Sequence, residues 1–266
     1  MCIRDSYNFT VTELDSMFTW CYFWSESECQ KGSCEIATAL EKYITDRKEN
    51  GVSKFHLFSD RCGGQNNNRM IFVMLSYALN NHNLDTIRLT YLVSGHSQSE
   101  NDNAHSVIEV MARKKTLYTP SDWGTLIQCA FKKNKCTFTV LEHDDIKDFK
   151  NPIAFPEYSK VYADKIAEEM TPEQREKQIA LNVSLGLEKR KPDKIFWSEI
   201  VDIMFSKSEP EVVFFKYKYN ENFRKATFSA PKRPHQGNVK NNEMKKYPTP
   251  SVQKRRKIFL NFVQRI

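Results

Sequence analysis

Two short stretches of the chain hold residue types that could do chemistry. The first, "LFSDRCGGQNNNR" at 57 to 69, ends an apolar run in Asp60 and follows it with glycines and amides. The second, "SGHSQSENDNAH" at 94 to 105, collects His96, Glu100, Asp102 and His105 directly after another apolar run, and Glu109 follows one turn and a residue later. Carboxylates are the ligands that hard ions such as Mg²⁺ or Mn²⁺ take, and a pair of such ions can stabilise the attacking and leaving oxygens of a phosphoryl transfer. Asp60, Asp102, Glu109 and Glu100 are therefore the candidate metal ligands, with His105 and His96 able to orient the site or meet a phosphate. Gln65, Asn66, Asn67 and Asn68 offer amide edges to a phosphate or sugar, Arg69 a cation, and Gly63 and Gly64 a close backbone approach. Plainer roles compete with each of these: Asn and Gly are ordinary in turns and helix caps, and polar residues are ordinary on a solvated helix face. Cys62, His96 and His105 are a possible zinc set, but their spacing fits no closed pattern and names no fourth ligand.

The surrounding pattern predicts what must position these residues. "YNFTVTE" and "MFTWCYFW" read as a hairpin, and "GSCEIATALEKYITDRKENG" as a helix stopped by Gly51. "VSKFHLFSD" is a strand that loses alternation near its end, which predicts burial on both faces. "RMIFVMLSYALNNH" is a helix apolar on most sides, "DTIRLTYLVSG" a strand, and "NDNAHSVIEVMARKK" a helix with Ala104, Val107, Ile108 and Met111 on one side. At roughly 100° per residue from Ala104, Asp102 falls near 160°, Glu109 near 140° and His105 near 100°, so the three share the polar side. Thr119 caps a further helix with Pro120 in its first turn, and "CTFTVLEH" is a short strand. Strands alternating with helices predict a mixed α/β sheet with parallel members, whose sites lie at the carboxyl ends of strands, where Asp60 stands.

Composition bounds the rest. The chain has 266 residues and net charge +7, and from 229 onward ten Lys and Arg face a single acid, Glu243. The basicity thus belongs to a tail, where Lys254, Arg255, Arg256 and Lys257 form a nucleic-acid contact or import patch. Seven cysteines without a CxxC pair predict free thiols in a reducing compartment rather than a disulfide framework. No apolar run approaches a membrane span and no secretory leader is visible, so the expectation is a nuclear or intracellular protein that is not secreted. The organisation expected is a translated-adapter artefact at 1 to 6 ("MCIRDS"), a core at 7 to 155, a charged helical linker at 156 to 194, a β-hairpin at 195 to 228, and a flexible basic tail at 229 to 266.

The succession "YNFTVTE", "CYFWSESECQKGSCEIATALEKYI", "FHLFSDRCGGQNNNR", "YLVSGHSQSENDNAHSVIE" and "LYTPSDWGTLI" resembles a transposon-derived domain of the DUF7869 type, often described as integrase-catalytic-domain-like. The pairing of "SDxCGGQNxNR" with "GHSxxExDxxHSxIE" carries the resemblance over 7 to 150, and "IFWSEI" with "VFFKYKY" extends it more loosely over 195 to 219. It implies a ribonuclease H-like fold of integrase or DDE-transposase type, Mg²⁺ or Mn²⁺ as cofactor, DNA as partner, and a multimeric assembly. In that family one acid lies on the first strand, one at the end of the fourth and one on a later helix. Asp60 fits the second position, and Asp102, Glu109 or Glu100 the third. The first acid is expected on a strand before Tyr7, which makes the chain an N-terminally truncated fragment in this reading. Arg61 stands where an uncharged residue is more familiar. A domesticated, non-cleaving nuclear nucleic-acid-binding protein is the alternative.

Overall fold

The computed structural model describes residues 6–61, 66–93, 100–113, 115–131, 135–158, 172–184, 186, 195–227 and 263–265. Cys62, Gly63, Gly64, Gln65, His96 and the basic group 254–257 lie outside the described residues, as do the first five positions, and Glu100 is described only through its backbone.

The chain opens with a hairpin, β1 (Ser6–Glu13) and β2 (Thr19–Ser25), turned through Met17 at φ +54°. Helix α1 (Ser33–Glu49) follows and stops where Gly51 takes φ +87°, a conformation that L side chains resist. Then come β3 (Lys54–Ser59), α2 (Arg69–Asn81), β4 (Thr86–Tyr91), α3 (Glu100–Ala112), α4 (Pro120–Ala130) and β5 (Cys136–Val140). Helix α5 (Pro172–Ser184) lies within the expected charged helical segment. Strands β6 (Asp202–Ser206), β7 (Val212–Lys216), β8 (Arg224–Thr227) and β9 (Val263–Arg265) complete the described elements.

All nine strands form one mixed sheet in the order β5-β2-β1-β9-β3-β4-β6-β7-β8. Strands β3 and β4 are parallel, as are β2 with β5 and β1 with β9, and the other neighbours run antiparallel. The mixed α/β sheet expected from the alternating pattern is therefore present. The segment 195–227 is not a separate cap, because β6, β7 and β8 extend the same sheet beyond β4.

One face of the sheet packs on α1 and α2 around Phe9, Val11, Tyr22, Trp24, Phe55, Leu57, Leu89, Tyr91, Ile203 and Phe215. Helix α2 buries Met70 through Leu75 without a break, which is why its sequence is apolar all round. The opposite face carries α3 and α4 only over the β1, β2 and β5 side, where Cys21, Ile108, Leu126 and Ile127 make a second, smaller core. This asymmetry corrects the expectation for β3: Phe55, Leu57 and Ser59 are buried, whereas His56 and Phe58, facing the side with no described helix, are half-buried. Trp197–Glu199 form a single 3-10 turn that sends the indole of Trp197 onto Phe72, with ring centroids 5.6 Å apart, and pairing starts at Asp202.

Gly124 is where α4 comes closest to the sheet, since a Cβ there would lie 2.8 Å from Cε1 of Phe138. Alanine in place of a helical glycine ordinarily stabilises by about 1 kcal/mol. Here the aromatic ring is held between Phe23 and the helix, so Gly124→Ala should instead destabilise, by about 1 to 3 kcal/mol as overpacking does. Urea unfolding of the two proteins measures the sign directly.

Candidate functional site

Asp60 follows the last residue of β3, beside the equivalent end of the parallel strand β4. Its position is over-determined by neighbours. Asn66, only 2% exposed, donates from Nδ2 to Asp60 Oδ1 at 2.6 Å, and the Ser59 hydroxyl donates to the Asp60 carbonyl at 3.0 Å. The Tyr91 hydroxyl donates to the Asn66 carbonyl at 2.8 Å, and the Tyr219 hydroxyl donates to the Tyr91 carbonyl at 2.6 Å. Burial raises the Tyr91 hydroxyl well above its usual range, so it remains a donor at any working pH. Arg61 Nη2 and Asn67 Nδ2 both donate to the carbonyl of Ser198, at 2.6 and 3.2 Å. Asn68 caps α2, its Oδ1 accepting from the backbone of Met70 and Ile71, and Arg69 is the first residue of that helix.

The amide run thus divides its work inside the protein. Asn66 orients Asp60, Asn67 and Arg61 tie the loop to the turn before β6, and Asn68 closes a helix end. Sequence spacing showed that amides follow Asp60; it could not show that Tyr91 and Ser198 would be their partners, because these arrive from 25 and 131 residues away in the chain.

The register of the sheet relates Asp60 to α3. Gln264 pairs with Thr12 on one side and with Phe58 on the other, so those two residues are level and share a face. Two residues further along each antiparallel track, Thr10 and Asp60 are level and again share a face, two strand spacings or about 10 Å apart. Thr10 is fully buried beneath α3, its hydroxyl 2.9 Å from Nε2 of His105. His105 is 7% exposed, and burial pushes its imidazole down to about 4, with the charge of Asp102 opposing the shift. The ring is therefore neutral near pH 7 and anchors α3 to β1.

From that anchor α3 runs outward. Ile108, one turn after His105, packs with Cys21 of β2, and Cys21 pairs with Thr10 across the hairpin. Helix α3 contacts β1 and β9, and since Ile108 shares the small core with Cys21, the C-terminal half inclines toward β2 and the N-terminal half toward β9. Asp102, one turn before His105, is on the Asp60 side of the anchor. Glu109 is on the far side, lining a groove between α3 and α4 with Ile108, Ala112, Arg113 and Trp123. The polar side deduced from helical angle needs correction: Ala104 and Ile108 are buried as expected, but His105 is buried with them against Thr10 while Val107 is exposed, and the direction of α3 separates the two acids.

Among the described residues no three His, Cys, Asp or Glu side chains stand close enough together to hold a metal ion. The donors on the Asp60 face are carboxylate and amide oxygens, suited to a hard cation rather than to zinc. For the zinc set, the His105 ring is already engaged with Thr10, while Cys62 and His96 lie outside the described residues. The described cysteines, 21, 29, 34, 129 and 136, form no disulfide. No helix among the described residues is long and apolar enough to cross a membrane.

A family model described as "Domain of unknown function (DUF7869)" matches residues 10–175, a span that runs from β1 into α5 and includes Asp60, Asp102 and His105. No curated protein and no solved structure matches the chain.

Proposed function

Because the chain belongs to the DUF7869 family, we propose that it is a transposon-derived, integrase-like domain of ribonuclease H-like type that acts on DNA by cation-dependent phosphoryl transfer, with Asp60 and Asp102 as its carboxylates. The observation that supports this reading is the register: Asp60 and Thr10, the residue that His105 of α3 meets, are level and share one face of the sheet, with β9 between their strands. Mg²⁺ or Mn²⁺ bound there would supply charge stabilisation for the oxygens of a transferring phosphoryl group. The chain's own contribution is positional. Asn66 fixes one oxygen of Asp60, Tyr91 and Tyr219 fix Asn66, and neutral His105 fixes the height of α3 above β1. The basic group Lys254, Arg255, Arg256 and Lys257 belongs to the same proposal as a DNA-phosphate contact, and with it a nuclear setting and a multimeric assembly on DNA.

A second reading, nucleic-acid binding without cleavage, is favoured by one observation, the lack of three clustered metal-ligand side chains among the described residues. Calorimetric titration with Mn²⁺ separates the two. The expected result is one saturable binding event in the parent chain that is lost in Asp60→Ala. Absence of binding in the parent removes the cation-dependent reading and leaves the non-cleaving one.

A further inference from the structure

The face that bears Asp60 continues across β3, β4, β6, β7 and β8, where no described helix covers it. Alternation and register fix what the strands present there. One row holds Lys54, Thr86 and Ser206, the next His56, Arg88, Met204, Phe214 and Lys225, and the last Phe58, Thr90, Asp202 and Lys216, ending beside Asp60. Four of these residues are cations and one is an acid. That acid, Asp202, is 2% exposed and is held by a two-pronged pair with Arg88, whose Nε donates to Oδ1 at 2.9 Å. Arg88 thus covers and neutralises that carboxylate, while Lys54 is exposed, Lys216 is half-exposed, and Lys225 is exposed with its Nζ 2.9 Å from Oε1 of Glu209.

Aromatic rings are interleaved with the cations. Phe58 is half-buried with its ring 4.3 Å from that of His56, in a tilted stack. Burial and Arg88 lower the His56 imidazole from its usual value, so the ring is a neutral aromatic near pH 7. Phe223 closes the far side, with Lys216 Nζ 4.4 Å and the Arg88 guanidinium carbon 5.3 Å from its ring centre. A sheet face that offers aromatic rings at one level and cations around them is suited to unpaired bases, which stack on the rings while the phosphates meet the cations. A duplex keeps its bases stacked on each other and could use only the cations.

We propose that the open face of β3, β4, β6, β7 and β8 is a platform for single-stranded nucleic acid, leading the strand from Lys225 across His56 and Phe58 to Asp60. This deepens the function proposed above and rests on it only for the use of Asp60; binding to the platform needs no cation.

The test is fluorescence anisotropy of the full chain with a labelled oligothymidylate and with a blunt duplex, in the presence of EDTA and over a range of salt. The expected result is tighter binding of the single strand. Phe58→Leu, which keeps an apolar side chain but removes the ring face, should weaken it by about 5- to 100-fold, as expected for one base that no longer stacks. Lys216→Gln with Lys225→Gln should lower the slope of log affinity against log salt by about 0.7 for each phosphate that is no longer neutralised. Both pairs of proteins are compared at equal thermal midpoint, and the lysine variants keep the test available if Phe58→Leu is unstable. Unchanged affinity and slope in the variants overturns the platform, whether the basic tail alone binds DNA or the face receives a protein instead. Because EDTA is present, a failure of Mn²⁺ binding at Asp60 with variant effects intact would remove the phosphoryl-transfer reading and leave the platform standing; the reverse pattern would do the opposite.

Discussion

Asp102→Ala should weaken Mn²⁺ binding by at least about 100-fold, as Asp60→Ala also should, whereas Glu109→Ala should leave it within about twofold. Removing a residue that merely supports a ligand costs about 10- to 100-fold in metal affinity, so removal of a ligand itself belongs at or above that range. The contrast between the two helix acids follows from the direction of α3. His105 is pinned to Thr10 of β1, and Ile108 shares the small core with Cys21 of β2, so the helix inclines away from β3 beyond the anchor. Glu109 is four residues past the anchor and sits beside Trp123 of α4. Asp102 is three residues before it, on the side of β9 and β3. The measurement is a calorimetric titration of the three variants beside the parent, with circular dichroism to show that each is folded. Retained binding in Asp102→Ala together with its loss in Glu109→Ala would reverse the assignment and require α3 to cross the sheet the other way.

Much of this arrangement was legible in the sequence, and the part that was not has an identifiable cause. Local patterns announced the hairpin, the Gly51 stop, the Thr119 cap with Pro120 after it, and the strand end at Asp60; the reciprocal Asp122 bond of that cap is an addition from the structure. What spacing could not announce is the order of strands. β5 returns to pair in parallel with β2, and β9, more than two hundred residues after β3 in the chain, lies between β1 and β3. The strand character of β5 was legible but its partner was not, and β9, three residues within the expected tail, carried no local strand signal. The helical angle of Asp102 and Glu109 is a local quantity and was right, yet which of them approaches Asp60 depends on the long-range Thr10 to His105 contact. The reading of β3 as buried on both faces failed for the same reason. His56 and Phe58 are apolar enough for a core, and only the absence of a described helix over that part of the sheet leaves them as a half-covered surface.

The same His105 that anchors α3 should make the stability of the protein fall steeply in mild acid. In the folded chain burial holds the imidazole near 4, whereas in the unfolded chain it titrates near its ordinary value of 6.5. Between those values the unfolded state carries the extra proton, so stability is full above about pH 6.5 and is lost progressively as the pH falls to about 4. The gap corresponds to about 3 kcal/mol, a large share of the 5 to 15 kcal/mol by which domains are ordinarily stable. His56 acts in the same direction, since burial lowers it too, while Glu41, held low by hydrogen bonds from His82 and Lys147 against its own burial, loses stability only below the usual carboxylate range near 4.5. His105→Gln separates these contributions, because an amide can still meet the Thr10 hydroxyl but takes up no proton. Urea unfolding from pH 7 to pH 4.5 should show a much shallower fall for His105→Gln than for the parent. Equal slopes would mean that the imidazole is charged in the folded state, and the contact that sets the height and direction of α3 would then have to be an exposed one.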